Sequence, residues 1–487
     1  MKFLSLLKNK ETIFLILIVL ISFEFSTYKL TESPPIWFDE GNYIQVAINL
    51  FNSGQQELQV APNHFSHALY LTTGYTVILP ISLVFKFFGI DLMQARAIMV
   101  CYILALVLIS YFFIKQLVGF RFAALSSLLL ITFPPLYGHG KNVMGEIPGI
   151  FFLILFLFFI FKLEKSKFKN KNCFILSGLA AGLCLATKPI FFLALPAMVI
   201  AIFFYRKKID FNWQHTLVFI LSISAPLLIW AKFQFSDLNS FLGMFSFYSN
   251  PHELDNRWQI IIMNLSRFFT ESTPLYFLAL FLAFIASFFI RIKIKASILL
   301  AEYITLYFSI ILFFAYLTTV GFYRYFLPAQ ILMLIFFPTA IFIFSQYIKD
   351  KINNSKLKQV KMGAWAVLFL FLSINIYGLL FNSWVVNNYT SKKSLILKNY
   401  FSNYSSRESL FLYNTPEIIV FLPHKNYYQY VEFTPIVSIG QEQLLKIKEG
   451  MPDEIITPRN MPDEKIKDFS LYQIKDEIGG FAIWEKK

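Results

Sequence analysis

The chain is built from apolar runs long enough to cross a lipid bilayer, separated by short clusters of lysine and arginine. No soluble core can absorb that pattern. A spanning helix needs about 20 predominantly apolar residues, and basic loops stay on the cytoplasmic side. The basic clusters are Lys2–Lys10, Lys115–Arg121, Lys162–Lys171, Arg206–Lys208, Arg291–Lys295 and Lys349–Lys361, about half of the 43 Lys and Arg residues. Reading each cluster as cytoplasmic predicts crossings near 12–30, 92–114, 121–137, 148–162, 172–187, 190–205, 212–232, 273–290, 297–318, 325–347 and 362–382. The run from Thr12 to Leu30 follows Lys2, Lys8 and Lys10. It is too long for a signal-peptide core and no small-residue cleavage site follows, so it reads as an uncleaved first anchor.

Composition agrees. Apolar residues make up 57% of the chain and charged ones 15%, against about 45–50% and about 25% in soluble proteins. The net charge of +14 does not point to nucleic acid, because the basic residues sit in the loops that set membrane topology. Cys101, Cys173 and Cys184 lie in or beside apolar segments, with neither metal-ligand spacing nor a disulfide framework.

The segment Leu69 to Gly89 is apolar enough to resemble a further crossing. Counting it would place Glu146 and the 162–171 cluster on the wrong sides, so it reads as a helix in the outer interface. The outward parts are then 31–91, about 138–147, a turn at Lys188, 233–272, 319–324 and everything after 383. The expected fold class is an all-α polytopic membrane body with about eleven transmembrane helices over 1–385, including the outer loop 31–91. A small α/β extracytoplasmic domain over 386–487 completes it. That tail carries alternating β-like runs (SLFLY, YYQYVEF, FSLYQI, GFAIWEK) and turn signals at Thr457-Pro458, Met461-Pro462 and Gly479-Gly480.

The first outer loop reads PPIWFDEGNYIQVAINLF, with Asp39 and Glu40 adjacent. Ile44, Val46, Ala47, Leu50 and Phe51 fit a short amphipathic interface helix. Two carboxylates there also suit the first turn of any helix, where the dipole favours negative charge. The second outer loop, YGHGKNVMGEIPGIFF, ends on Glu146. Carboxylates at membrane boundaries are costly unless solvated or functional. Lys188 in ATKP and Arg324 in GFYRYFLPA are cations on the outer side, against the positive-inside trend. They either snorkel to headgroups or bind a phosphate.

The order of these features resembles the GT-C superfamily of polyprenyl-phosphate-sugar-dependent glycosyltransferases. The nearer look is to its bacterial branch, related to protein O-mannosyltransferases and lipid A aminoarabinose transferase. FDEGNY matches the acidic pair that opens the first outer loop of such enzymes, and GEIPG the acidic residue that ends the next. GLCLATKP (Gly182 to Pro189) matches their G-L-x-x-x-T-K element, and Arg324, Tyr325 and Pro328 their R-Y-x-x-P element. The resemblance covers about residues 10–385. It departs where members often carry His-Pro-Pro, since this chain reads APNHFSHALY, and where it offers Glu146 rather than Asp.

The resemblance implies a sugar donor on a polyprenyl phosphate and a lipid, glycan or protein acceptor, handled on the outer face of a bacterial plasma membrane. No nucleotide donor is needed, and no phosphate-cradling Gly loop is present. A base must take the acceptor's proton and cations must stabilise the departing phosphate. Asp39 is the expected base, Glu40 a positioning group, and Glu146 an acceptor-orienting group or a partner of Asp39 in holding a metal. Arg324 and Lys188 are the expected phosphate ligands, with Lys141 and His64 as further candidates and His67 as ordinary loop polarity. No cofactor is assigned; a divalent cation such as Mg or Mn would suit oxygen ligands. The alternatives are a flippase or transporter of lipid-linked sugars, and an O-antigen ligase or polymerase. Transporters usually show internal repeats and midplane charges. The ligase reading would draw on His252, Arg257 and Arg267 in 233–272 but leaves the Asp39-Glu40 pair unexplained.

Overall fold

Apolar segments with no water to bond their backbone close those bonds internally as helices, and all eleven expected crossings are helical. The computed structural model describes residues 10–67, 71–208, 213–235, 237–249, 256–349, 357–383, 392–402, 404, 409–422, 425–434 and 437–487; His252 lies outside them. Among the described residues, eight helices are long and apolar enough to cross a membrane. The other three expected crossings fall short of that measure. Lys10–Thr27 is 18 residues long but carries Lys10, Glu11 and Glu24, while Phe120–Ile131 and Lys171–Thr187 have 12 and 17 residues. Phe120–Ile131 stops where Pro134 and Pro135 withdraw two backbone donors, and a short turn of helix, Pro134–Gly138, follows.

Close approach of the helices uses small residues. A Cβ on Gly182 would lie 2.5 Å from the Ile223 carbonyl oxygen, and one on Gly178 2.6 Å from the Ser222 Cβ. These two glycines seat Lys171–Thr187 against Trp213–Gln234.

The segment that resembled a further crossing is the helix Tyr75–Phe88. At 14 residues, about 21 Å at the helical rise, it is shorter than the eight helices long enough to cross. Leu79, Leu83, Phe87 and Phe88 are exposed, whereas Val77, Ile78, Ile81 and Phe85 are buried. That one-sided stripe fits an interfacial helix.

The first-loop helix, Phe38–Ser53, departs from the expected amphipathic interface helix. Every residue from Glu40 to Asn49 is buried, because both sides are covered. Tyr75–Phe88 packs on one side, and the C-terminal domain lies on the other. A Cβ on Gly41 would sit 2.5 Å from the backbone of Pro416 and Glu417, so only glycine permits this contact.

The C-terminal domain is a six-stranded sheet. Its strands are β3 (Leu410–Tyr413), β4 (Tyr427–Thr434), β5 (Val437–Ile439), β6 (Glu454–Pro458), β7 (Tyr472–Ile478) and β8 (Phe481–Lys486), side by side in the order β5-β4-β3-β6-β8-β7. β3 runs parallel to β4 and β6, and the remaining pairs are antiparallel. Three of the β-like runs are strands, the fourth (FSLYQI) enters its strand only at Tyr472 after a turn at Ser470-Leu471, and Gly479-Gly480 makes the β7–β8 turn. Thr457-Pro458 is a correction: both residues belong to β6 rather than to a turn. The β3 pairing ends at Ile456, so the missing Pro458 N–H breaks no bond on that side.

Period-two alternation splits the sheet's side chains. Leu410, Leu412, Ile456, Phe481 and Ile483 share a core with Ile44, Ile48, Val77 and Leu397. Phe411, Tyr413, Ile455, Ala482 and Trp484 pack with Ile447 and Phe469 on the opposite face. The expected boundary at 385/386 lies outside the described residues. A two-stranded hairpin, β1 (Glu57–Ala61) with β2 (His64–His67), also packs beside β4.

Candidate active site

Four loops meet at the end of the helical bundle that carries Phe38–Ser53 and the sheet. They deliver Asp39 and Glu40, Glu146, Lys188 and Arg324. Asp39 and Glu40 occupy the first turn of Phe38–Ser53, and Glu40 reaches back to accept from the Trp37 amide at 3.3 Å. That is the reciprocal half of a capping box. Lys188 precedes Pro189, and the residue before proline is steered out of helical conformation. It is extended accordingly (φ −161, ψ 139), breaking the chain between two helices. The freed Thr187 carbonyl accepts from the Gly74 amide at 2.9 Å, an approach that a Cβ on Gly74 would block. Arg324 stands in the short 3-10 turn Tyr323–Tyr325, after Gly321 at φ +79.

Asp39 and Arg324 form one pair. Arg324 Nη1 donates to Asp39 Oδ2 at 2.8 Å, with the side chains 15% and 30% exposed respectively. The guanidinium also lies 5.3–5.7 Å from the ring centroids of Trp37, Phe322 and Tyr325. Burial pushes its pKa down, but Asp39 and Glu146 outweigh this and hold it above the ordinary arginine value. Its Nε is buried without a hydrogen-bond partner.

Glu146 and Lys188 form a second, deeper pair, with Lys188 Nζ donating to Glu146 Oε1 at 2.5 Å. Burial disfavours the Lys188 ammonium, and Glu146 restores it, raising its pKa overall. Glu146 Oε2 has no partner. Tyr43 donates to or accepts from Thr72 at 2.7 Å. Its hydroxyl is pushed up by burial and by Asp39, with Lys188 pulling the other way.

Glu40 lies apart from this cluster despite adjoining Asp39. It is fully buried and bidentate to Arg96, with Nε–Oε1 at 2.8 Å and Nη2–Oε2 at 2.7 Å. The Val143 amide also donates to it at 3.1 Å. Neither oxygen is left to face a substrate. Lys141 is buried as well, donating to the Tyr28 carbonyl at 2.7 Å. Burial, reinforced by Arg96, lowers its pKa to about 7. His64 is exposed on β2 with no hydrogen bond or ion pair to the cluster, while its neighbour His67 sits 3.2 Å from Glu57.

Sequence reasoning missed Arg96 and His139. An arginine one turn into an apolar helix is a signal, because a charge there needs a partner. His139 titrates in the field of Glu146, Arg324 and Lys188, but a histidine between two glycines carries no such mark. The donor set does not suit the divalent cation considered from sequence. Asp39 and Glu146 each face a cation of their own, and among the described residues no three His, Cys, Asp or Glu side chains gather as a metal-binding group.

The family model described as dolichyl-phosphate-mannose-protein mannosyltransferase matches residues 76–230. No curated protein matches the chain by sequence. Solved structures do match its fold. ArnT from Cupriavidus metallidurans in the apo state superposes with a TM-score of 0.69 at 11% identity, covering 98% of both chains. The same protein bound to undecaprenyl phosphate gives 0.63 at 11% identity, over 97% of both. The oligosaccharyltransferase AglB from Archaeoglobus fulgidus, in complex with an inhibitory peptide and a dolichol-phosphate, gives 0.59 at 11% identity. That match covers 99% of this chain and 74% of the archaeal one. The fold is thus similar to that of ArnT and AglB, and the stretch from Tyr75–Phe88 into Trp213–Gln234 matches the mannosyltransferase family model.

Proposed function

We propose that the protein is a membrane glycosyltransferase that moves a sugar from a polyprenyl-phosphate donor to an acceptor hydroxyl on the outer face of the plasma membrane. The observation that carries this reading is the Asp39–Arg324 pair. It couples a partly accessible carboxylate to a cation that still has an unpartnered donor. Without a donor lipid the two side chains neutralise each other. An arriving phosphate competes for the planar guanidinium fork, which releases Asp39 to act as a base. The acceptor oxygen then bonds to the anomeric carbon and gives its proton to Asp39. The bond from that carbon to the phosphate oxygen breaks, and the electron pair stays on the phosphate. Arg324 and Lys188 stabilise the charge that grows there. A single displacement of this kind inverts the anomeric centre.

Glu146 holds Lys188 in place, and Glu40 acts through Arg96 to fix the helix that presents Asp39. These two are positioning residues. Lys141 supports the same loop, and His64 has no part in the step. The topology that places this end outside rests on the basic clusters, which leave the N-terminus cytoplasmic. Residues 1–385 are the catalytic body and 386–487 an extracytoplasmic domain. The test is transfer from radiolabelled polyprenyl-phosphate sugars by purified wild-type protein beside Asp39→Asn, with membrane extract supplying the acceptor. Loss of a general base should cost roughly 10²–10⁴-fold in rate. Full transfer by a folded Asp39→Asn protein would remove Asp39 from that role.

A further inference from the structure

A cavity of about 430 Å³ opens beside the charged cluster, between the short helix Pro134–Gly138 and the facing ends of Ser272–Lys293, Leu327–Lys349 and Leu357–Phe381. Its size falls within the range of about 300–1,000 Å³ usual for small-molecule sites. His139 and Tyr323 belong to its wall; Tyr323 directly precedes Arg324, and His139 lies in the field of Arg324. Phe133 and Tyr276 stack with centroids 6.1 Å apart and planes 19° from parallel, giving an aromatic floor. Gln330, Asn375, Asn382, Ser272 and Thr273 add amides and hydroxyls to the lining.

Two features set the chemistry of its ligand. Gln330 is 2% exposed, and its Nε2 has no hydrogen-bond partner. A buried amide donor left unmet is costly, and a ligand oxygen in the cavity would satisfy it. Among the described residues, the lining also holds no Asp, Glu, Lys or Arg. Its imidazole adds no charge near neutral pH, since burial, opposed by Glu146 but helped by Arg324 and Lys188, pushes His139 down to about 4. The Tyr323 hydroxyl is engaged by Glu271, itself paired with Arg267 outside the cavity. An aromatic floor beneath neutral amides and hydroxyls suits a polyhydroxyl ring without a formal charge. An amino sugar would lack a carboxylate here and a uronic acid would lack a cation.

We infer that this cavity binds the glycosyl ring of the lipid-linked donor and selects an uncharged sugar, with the Gln330 amide as its buried hydrogen-bond donor. The inference rests on the proposed transfer reaction. The same ring chemistry could also be offered by a glycan acceptor, and the test separates the two sources.

Full-length protein in nanodiscs is assayed for binding of, and transfer from, polyprenyl-phosphate hexose and its amino-sugar counterpart. Wild type should favour the hexose donor by at least tenfold in kcat/KM, about the worth of one neutral hydrogen bond. Gln330→Leu, of similar volume, should weaken hexose-donor binding about tenfold and raise donor KM with little change in kcat. Ser272→Trp, placed on the exposed rim, should obstruct the same site without disturbing the core. A rise in acceptor KM alone would overturn the donor assignment and place the acceptor's sugar in the cavity. Equal use of both donors, or donor binding unchanged in both variants while transfer proceeds, would overturn the inference. Donor binding that depends on Gln330 in a protein that transfers no sugar would support the cavity and refute the transfer reading instead.

Discussion

Arg96→Met is the most informative test of how the site is held. Arg96 is fully buried and uses all five of its N–H donors. Two go to Glu40, at 2.8 and 2.7 Å. The others reach Leu30 O at 2.7 Å, Pro34 O at 2.8 Å and Asn142 Oδ1 at 3.1 Å. One guanidinium therefore ties the end of the first anchor, the Phe38–Ser53 helix and the 139–145 loop to Leu92–Val118. Methionine keeps much of the volume and removes the charge. Glu40 is then left buried with only the Val143 and Trp37 amides, a change that costs about 3–5 kcal/mol in comparable buried pairs. The assay is denaturant unfolding in mixed micelles, run on Arg96→Met, Glu40→Gln and the double variant. The double variant should recover part of the loss, because no uncompensated charge remains. Transfer activity should fall in step with stability in all three. An Arg96→Met protein destabilised by less than about 1 kcal/mol, the worth of a surface ion pair, would refute the argument. A Glu40→Gln protein that is fully stable yet inactive would instead make Glu40 a chemical participant.

Further predictions concern single positions. Burial lowers Lys141 from its ordinary 10.5 to about 7 in the folded protein, so the unfolded chain binds more protons between those values. Stability should therefore rise with pH across that window, by up to about 1.4 kcal/mol per unit. Lys141→Met should lack this component, and identical pH profiles for the two proteins would contradict it. Gly41→Ala places a Cβ 2.5 Å from the Pro416 and Glu417 backbone, an overpacking of about 1–3 kcal/mol. Faster hydrogen exchange should appear in Pro416–Phe421 and Phe38–Ser53, and unaltered protection would show that the contact is slack. Arg324→Lys should raise donor KM more than it lowers kcat, because an ammonium cannot span Asp39 and a phosphate as a fork does; unchanged donor dependence would remove Arg324 from the phosphate site.

The comparison of adjacent residues shows where sequence ceases to be informative. Asp39 and Glu40 read alike, as two carboxylates in a helical first turn. Successive side chains on a helix point about 100° apart, so one faces Arg324 and the other Arg96. Which direction holds the site depends on what packs there, and the chain alone does not reveal it. The Phe38–Ser53 pattern suggested an interface helix for the same reason: its second cover, the sheet, comes from residues more than 350 positions later.

What the sequence determined by itself was the architecture governed by solvent. Apolar length and basic loops dictate helices in lipid, alternating runs dictate strands in the tail, and proline at 189 dictates the break at Lys188. These rules act over one element at a time. The tertiary structure decided the pairings: Asp39 with Arg324 across 285 positions, Glu146 with Lys188, and Glu40 with Arg96. It also decided that Gln330 and His139 share a cavity. Buried charges must find partners wherever the fold brings them, and helix packing, which no local pattern encodes, chooses which partners those are.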